Sequence, residues 1–194
     1  MSTHAVVVPS TLALLPEYAG AVDPVSDLRL ACAQAVAWLV ERHPERVSVV
    51  TAEPRADNVS RGVTEPAGAR IGRRLLAGFE GRVDVVVAPG DALPGDAGML
   101  VVANGSAKRS EKAPGHLDER SPGFDAAIES ALRTGDAVAL RDLDAELGAA
   151  LWAHDVTALR ALGAAVRGPV DATVSYVGDP YGVQYWVARW TCES

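Results

Sequence analysis

The loop over residues 104–125 holds most of the polar side chains that are suited to binding a small ligand. It follows an apolar segment, GMLVVA, and begins with Asn104-Gly105-Ser106. Backbone N–H groups, an amide and a hydroxyl in such a position bind anions and polar groups. The further candidates in this loop are Lys108 and Arg109, which suit a carboxylate or phosphate, and His116. The alternative is a solvated loop whose cations pair with its own acidic residues.

Apolar segments of strand length alternate with helical patterns along the chain. We predict strands at 4–9, 46–51, 83–88, 98–103, 170–177 and 183–190. We predict helices at 26–43, 67–79, 123–134, 136–151 and 155–166, with Ser26 and Asp136 as N-caps. Because the strands are apolar rather than alternating, helices should cover both faces of the sheet, and the closely spaced last two strands favour an antiparallel hairpin. The prediction is a single α/β domain over residues 1–194, with a mixed, mostly parallel sheet.

Four candidate site residues follow predicted strands. Ser10 follows the first strand, Glu53 the second, Asn104 the fourth and Asp179 the fifth. In sheets of this kind, ligands bind beyond the carboxyl ends of the strands. We therefore predict a cleft at that edge of the sheet, with these side chains around it.

The composition limits the classes of function. The chain has a formal net charge of −7 and a sequence pI of about 5.1. Because nucleic acids and anionic membranes attract clustered Lys and Arg, neither is an expected partner. No apolar run approaches the roughly 18 residues of a membrane span, and no basic region precedes the first apolar stretch, so we predict a cytoplasmic protein. Aromatic residues in the last predicted strand indicate a core strand or a subunit interface, which leaves a homodimer open.

Several motifs occur in an order that is known from one family. They are PSTLALLPE at 9–17, ANGSAK at 103–108, APGHLD at 113–118, Phe124-Asp125, and DPYGVQY at 179–185. This ordered set resembles the LigB-like class III extradiol dioxygenases, including their Memo-like branch. The family pattern that matches residues 9–17 is Pro-His-Pro-Pro before a leucine pair and Pro-Glu, and the one that matches 103–108 is Gly-Asp-Leu-Ser-His-Arg. Residues 113–118 match Ala-Pro-x-Gly-Tyr-Asp, and Phe124-Asp125 matches Phe-Asp. Residues 179–185 match acid-Ala-Pro-aromatic-Gly-Val-Gly-Tyr. The resemblance implies the LigB-like α/β fold and a site in the predicted cleft.

The same resemblance implies a lost iron site. The family holds iron with two histidines and a carboxylate, and the histidine positions fall on Ser10 and near Glu53. The metal carboxylate falls at or beside Gly178, next to Asp179, and the acid/base histidine falls on Ala107. A serine hydroxyl is a poor Fe(II) ligand and an alanine cannot move a proton, so we predict neither a metal nor another cofactor.

A set of oxygen donors is an alternative that suits Mg²⁺ or Ca²⁺. Its members would be Ser10, Glu53, Asn104 and Asp179.

These observations leave three functional hypotheses. The first is a relative of the extradiol dioxygenases that binds a small molecule or a protein partner in the former active-site cleft and no longer cleaves rings. The second is an enzyme, either a metal-dependent dioxygenase or another oxidoreductase or hydrolase with altered ligands. The third is a structural or regulatory subunit. The signatures GxGxxG, GxxxxGK[ST], HExxH and GxSxG do not occur in the sequence.

Overall fold

In the part of the chain that the structure describes, helices separate the first three strands, a fourth strand follows the third, and four helices precede a final hairpin. The structure is a computed structural model that describes residues 3–18, 20, 23–90, 93 and 97–193. In these residues the strands are β1 Thr3–Val8, β2 Arg46–Ala52, β3 Arg82–Ala88, β4 Gly98–Val102, β5 Val170–Gly178 and β6 Tyr185–Cys192. The α-helices of the same residues are α1 Ser26–Arg42, α2 Ala56–Val59, α3 Ala67–Leu75, α4 Ser121–Thr134, α5 Ala137–Arg141, α6 Ala145–Ala150 and α7 Val156–Ala165.

The described strands form one sheet in the order β3-β2-β4-β1-β6-β5. Strands β3, β2, β4 and β1 are parallel, whereas β6 runs antiparallel to both of its neighbours, β1 and β5. The predicted α/β fold, with a mixed and mostly parallel sheet and a closing hairpin, is confirmed. The carboxyl ends of β1 to β4 therefore meet at one edge, together with the turn that joins β5 to β6.

Helices cover both faces of the sheet, which explains why the central strands are apolar throughout. On one face α1 and α3 bury a cluster that includes Leu28, Leu39, Ile71 and Leu100. On the other face α4 to α7 bury a second cluster that includes Ile128, Leu132, Leu159 and Trp186. Burial of this extent is the main stabilising contribution to such a fold.

The aromatic side chains of β6 belong to the core. Tyr185, Trp186 and Trp190 are at most 3% exposed. The indole of Trp190 donates a hydrogen bond to the Leu132 carbonyl at 2.9 Å. Because β6 is an internal strand, these residues give no support to a subunit interface, and the homodimer stays a prediction.

Helix α3 lies unusually close to β2 because two of its residues lack side chains. A Cβ atom on Gly68 would lie 2.2 Å from Thr51 Oγ1, and one on Gly72 would lie 2.4 Å from Val49 Cγ1. Glycine at these positions allows the helix to approach the sheet. The approach brings the beginning of α3 close to the carboxyl end of β2, where the predicted cleft lies.

Some predicted boundaries were wrong. The helix expected at 136–151 is two helices, because the Asp144 carboxylate accepts a hydrogen bond from the Leu147 amide and starts α6. Asp136 caps α5 as predicted, accepting from the Ala139 amide at 2.9 Å. Ser26 is the first residue of α1 rather than its N-cap, and no side chain caps that helix.

The segment between the predicted strand at 46–51 and the predicted helix at 67–79 contains the short helix α2, which was not predicted, and α3 ends at Leu75 rather than at residue 79. Among the helices in the described residues, none combines the length and the apolar character that crossing a membrane requires.

Candidate functional site

A cavity of about 530 Å³ lies at the carboxyl edge of the sheet, where the cleft was predicted. The loops after β1, β2 and β4, the beginning of α3 and the turn between α6 and α7 form its walls. We call it the carboxyl-edge cavity, and its polar lining includes Ser10, Glu53, Arg55, Asn104, His154 and Asp155. Strands β1 and β4 are neighbours, and the chain leaves them towards helices on opposite faces of the sheet. Such a switch point is where open α/β sheets bind ligands.

Asn104, in the loop after β4, forms hydrogen bonds beneath the cavity with the loop after β1 and with the turn between α6 and α7. Its side-chain oxygen accepts from the Ser10 amide at 2.8 Å, and its side-chain nitrogen donates to the Ser10 carbonyl at 3.0 Å. Its backbone amide donates to Asp155 Oδ2 at 3.2 Å. The side chain of Asn104 is therefore a positioning element, and its polar atoms are engaged before any ligand enters.

The Asp155 carboxyl is the most perturbed titratable group of the cavity. Burial disfavours its charged form and raises its pKa from 3.8 to about 7, while the Asn104 amide and the Ser10 hydroxyl oppose this shift by hydrogen bonding. A carboxyl group that changes protonation state near neutral pH can either bind a donor or transfer a proton.

Trp152 stands at the mouth of the cavity in a backbone conformation that is rare for a bulky side chain. Its φ is 59° and its side chain remains exposed. The cations of Arg55 and Lys108 lie 5.8 and 5.6 Å from the centre of one of its rings. The chain thus presents an aromatic surface at the opening.

His154 stacks beside Trp152, with 6.4 Å between ring centroids. Its Nε2 atom is buried and has no hydrogen-bond partner among the described residues. Burial lowers the pKa of His154, and the positive charge of Arg55 lowers it further. The imidazole is therefore held neutral beside Asp155.

A second polar network lies next to the cavity and engages three of the predicted site residues. The buried Asp125 carboxylate accepts from the Ser106 amide at 2.8 Å, from the Ser106 hydroxyl at 2.6 Å and from Arg109 Nη1 at 2.6 Å. Arg109 Nε also donates to Asp179 at 2.8 Å. The guanidinium of Arg109 thus joins α4 to the turn after β5, and the three residues fix loop positions instead of facing the cavity.

The structure brings together only part of the predicted set. Ser10, Glu53 and Asn104 line the cavity. Lys108 does not line it, but its ammonium group lies 5.6 Å from the centre of a Trp152 ring at the cavity mouth. Ser106, Arg109 and Asp179 belong to the adjacent network. His116 is exposed, with its Nδ1 2.8 Å from the Glu111 carbonyl oxygen, and it does not line the cavity.

Sequence reasoning missed the residues of the turn between α6 and α7. The predicted helices left Trp152 and His154 in the connection between them and Asp155 at the start of the second helix, because no local pattern indicates that this turn folds against the carboxyl edge. Asp125 did have a signal in the sequence, because the Phe124-Asp125 pair is one of the motifs in the family resemblance and lies at the start of a predicted helix.

The residues at the implied metal positions do not fit an iron site. Within the described parts of the chain no three His, Cys, Asp or Glu residues are grouped so as to hold a metal ion. Asp179 is paired with Arg109 and does not line the cavity, so the set of oxygen donors with Ser10, Glu53 and Asn104 is not assembled either.

Comparison with known proteins does not identify a family. No protein-family model and no curated protein matches the sequence.

Proposed function

We propose that the chain binds a small organic molecule in the carboxyl-edge cavity without a metal ion, as a LigB-like protein that no longer cleaves rings. The observation that carries the proposal is a cavity of about 530 Å³ at the switch point of the sheet, with Ser10, Glu53 and Asp155 in its lining. This volume falls in the range of pockets that hold small ligands, about 300–1,000 Å³.

The charges around the cavity favour a ligand that donates hydrogen bonds. Both arginines of the lining are ion-paired, Arg55 with Asp57 and Arg70 with Glu17. Glu53 has no ion pair or hydrogen bond among the described side chains. The Glu53 carboxylate therefore remains available, and as an acceptor it suits a hydroxyl or ammonium group. An anionic ligand held by Lys108 or Arg109, as the loop sequence suggested, is disfavoured.

The apolar part of the lining favours a flat ring. Leu12, Val63 and Trp152 are exposed large apolar side chains that border the cavity. An aromatic ring stacks on an indole through offset or edge-to-face contacts that contribute about 0.5–1.5 kcal/mol beyond the area buried. The proposed ligand class is a hydroxylated or amino-substituted aromatic compound.

Titration of the protein with tyramine, catechol and benzoate, followed by thermal shift and NMR, tests the proposal. Tyramine and catechol should bind saturably and benzoate at least tenfold more weakly. Ala67→Trp should block the cavity, because Ala67 is an exposed residue of α3 that lines it. Ala126→Trp, on the exposed surface of α4, is the matched control and should bind like the unmodified protein. Equal binding by both variants would contradict the proposal.

Proton-transfer catalysis at the same site is a second candidate, favoured by the Asp155 carboxyl with its pKa near 7. An activity with an apparent pKa near 7 that Asp155→Asn abolishes would support it. Stoichiometric iron in protein purified without chelators, together with cleavage of catechol, would overturn the proposed metal-free function.

A cytoplasmic location, a homodimer and a role as a structural or regulatory subunit also belong to the proposals. Cell fractionation, light scattering and co-purification test them in turn.

A further inference from the structure

A second and larger cavity, of about 830 Å³, lies against α7 and shares no lining residue with the carboxyl-edge cavity. Its lining includes Thr3 and Met99 from the amino-terminal parts of β1 and β4, and it therefore lies away from the site described above. We call it the α7 cavity.

Three arginines line the α7 cavity, and none of its described lining residues is acidic. They are Arg141, Arg160 and Arg167. The chain as a whole carries 25 acidic residues and 18 Lys and Arg residues, so this local excess of positive charge runs against the overall balance. A cavity of this kind attracts an anion.

Two of these arginines keep their charge available. Arg141 is paired with the exposed Asp142 at 2.8 Å. Arg160 and Arg167 form no ion pair with any described residue, although the pKa of Asp142, which the hydrogen bond from Arg141 lowers, is lowered further by the charge of the nearby Arg160. Arg160 Nε donates to the Arg141 carbonyl at 3.1 Å, which holds the Arg160 side chain beside Arg141. Its terminal nitrogens are left to bind a carboxylate or phosphate.

The position of Arg141 depends on a close helix contact. A Cβ atom on Gly163 of α7 would lie 2.4 Å from both the Ala137 oxygen and the Arg141 nitrogen of α5. Glycine at this position allows α7 to approach α5. The close approach brings Arg141 and Arg160 together at the cavity.

Short apolar side chains form the rest of the wall. Ala161, Ala164 and Ala165 lie on the face of α7 that borders the cavity, and Met99 faces it from the sheet. Because alanine side chains end at Cβ, they leave the volume open and give it an apolar surface. An apolar body with one anionic end matches this arrangement of apolar wall and arginines.

We propose that the α7 cavity binds an amphiphilic anion, a carboxylate or phosphate monoester on an apolar chain, with its head at Arg160 and Arg167 and its chain along the alanine face of α7. This inference does not depend on the function proposed for the carboxyl-edge cavity. The two cavities can be tested separately.

Calorimetric titration with dodecanoate, dodecyl phosphate and dodecanol, below their micellar concentrations, tests the proposal. Dodecanoate or dodecyl phosphate should bind with one-to-one stoichiometry, and dodecanol at least tenfold more weakly because it lacks the charge. The double variant Arg160→Gln with Arg167→Gln should weaken binding of the anion about tenfold or more. Its matched control changes Arg120 and Arg133, two exposed and ion-paired arginines, to Gln and should leave binding unchanged.

A blocking variant gives an independent readout. Ala164→Trp should abolish binding, whereas Ala126→Trp, another exposed helical alanine, should not. Equal affinity for dodecanoate and dodecanol, equal loss in the two arginine double variants, or binding that does not saturate would each overturn the proposal. A concentration-dependent dimer that Ala164→Trp disrupts, without any binding of anion, would assign the cavity to a second copy of the chain instead.

Discussion

Asn104 and Ser10, which are 94 residues apart in the sequence, exchange two hydrogen bonds across the switch point of the sheet. The side-chain amide of Asn104 is hydrogen-bonded to both the backbone N–H and the backbone carbonyl of Ser10. Asn104→Ala should lower the free energy of unfolding by about 1–3 kcal/mol, because the amide and carbonyl of Ser10 lose their partners. Urea denaturation measures this change. Asn58→Ala is the control, since Asn58 lines the same cavity and its side chain forms no hydrogen bond with described residues, and it should be nearly neutral.

Asp125 is predicted to be the most important polar residue for the stability of the loop over 104–125. Asp125→Ala should lower the free energy of unfolding by about 3–5 kcal/mol, because the Ser106 amide and hydroxyl lose their buried acceptor and Arg109 keeps only its pair with the more exposed Asp179. Glu129→Ala in the same helix removes an exposed pair with Arg133 and should cost about 0.3–0.5 kcal/mol. If the two variants unfold at the same denaturant concentration, the network is not structural.

The protonation of Asp155 should make stability depend on pH in a window that is unusual for a carboxyl group. Its pKa is about 7 in the folded protein and near 3.8 in the unfolded chain, so the folded state binds the additional proton. The contribution of Asp155 to the free energy of unfolding is at its maximum below pH 4 and falls as the pH rises towards 7. Above pH 7 that contribution no longer changes with pH. Relative to the unmodified protein, Asp155→Asn should gain about 2–4 kcal/mol between pH 4 and pH 8.

Asp118 provides the control of opposite sign for that titration. The Arg120 side chain lowers the pKa of Asp118 to about 2 by hydrogen bonding, so its contribution is present above pH 4 and is lost as the pH falls. Asp118→Asn should therefore change the pH profile only in the acid range. A carboxyl resonance of Asp155 that titrates near pH 4 would contradict the assignment.

The left-handed backbone at Trp152 should reverse the usual order of alanine and glycine substitutions. Trp152→Gly should be about 1 kcal/mol more stable than Trp152→Ala, because only glycine adopts a φ of 59° without strain. Thermal or urea unfolding of the two variants measures the difference. Both variants should bind tyramine less well than the unmodified protein. Greater stability of the alanine variant would show that the backbone at this position relaxes freely.

The contact between α3 and β2 should make a mutation that commonly stabilises helices destabilising. Gly72→Ala should lower the free energy of unfolding by about 1–3 kcal/mol, because the new methyl group would overlap Val49. Gly123→Ala in α4 meets no atom within 4 Å and should stabilise the protein by about 0.5–1 kcal/mol. Opposite signs in denaturant unfolding are the expected result.

The sequence was sufficient to predict all the strands of the described sheet and most of the helices along the chain, because the central strands are buried on both faces and therefore apolar from end to end. It also placed Ser10, Glu53 and Asn104 at one edge, since the carboxyl ends of parallel strands coincide. Helix α6 was merged with α5 because their apolar residues continue one helical pattern. The Asp144 cap that separates them is visible only in its hydrogen bond to Leu147.

Residues far apart in the sequence complete the cavity, and this explains what was missed. Asp155 binds the Asn104 amide across 51 positions, after four helices have folded onto one face of the sheet. Whether Arg109 is available to a ligand depends likewise on the placement of Asp125 and Asp179 on two other elements. Such a dependence on packing leaves no periodic signal in the chain.

The internal position of β6, between β1 and β5, has a consequence for how the protein is made. Strand β1 is synthesised before the other strands of this sheet, and it pairs along one side with residues 188–192. Until those residues have been synthesised, that side of β1 exposes backbone N–H and C=O groups to any extended segment nearby. Long-range pairing of this kind slows folding and prolongs the time during which aggregation competes with it. We expect nascent chains that end before residue 185 to depend on chaperones, and the release of the complete β5–β6 hairpin to end that dependence.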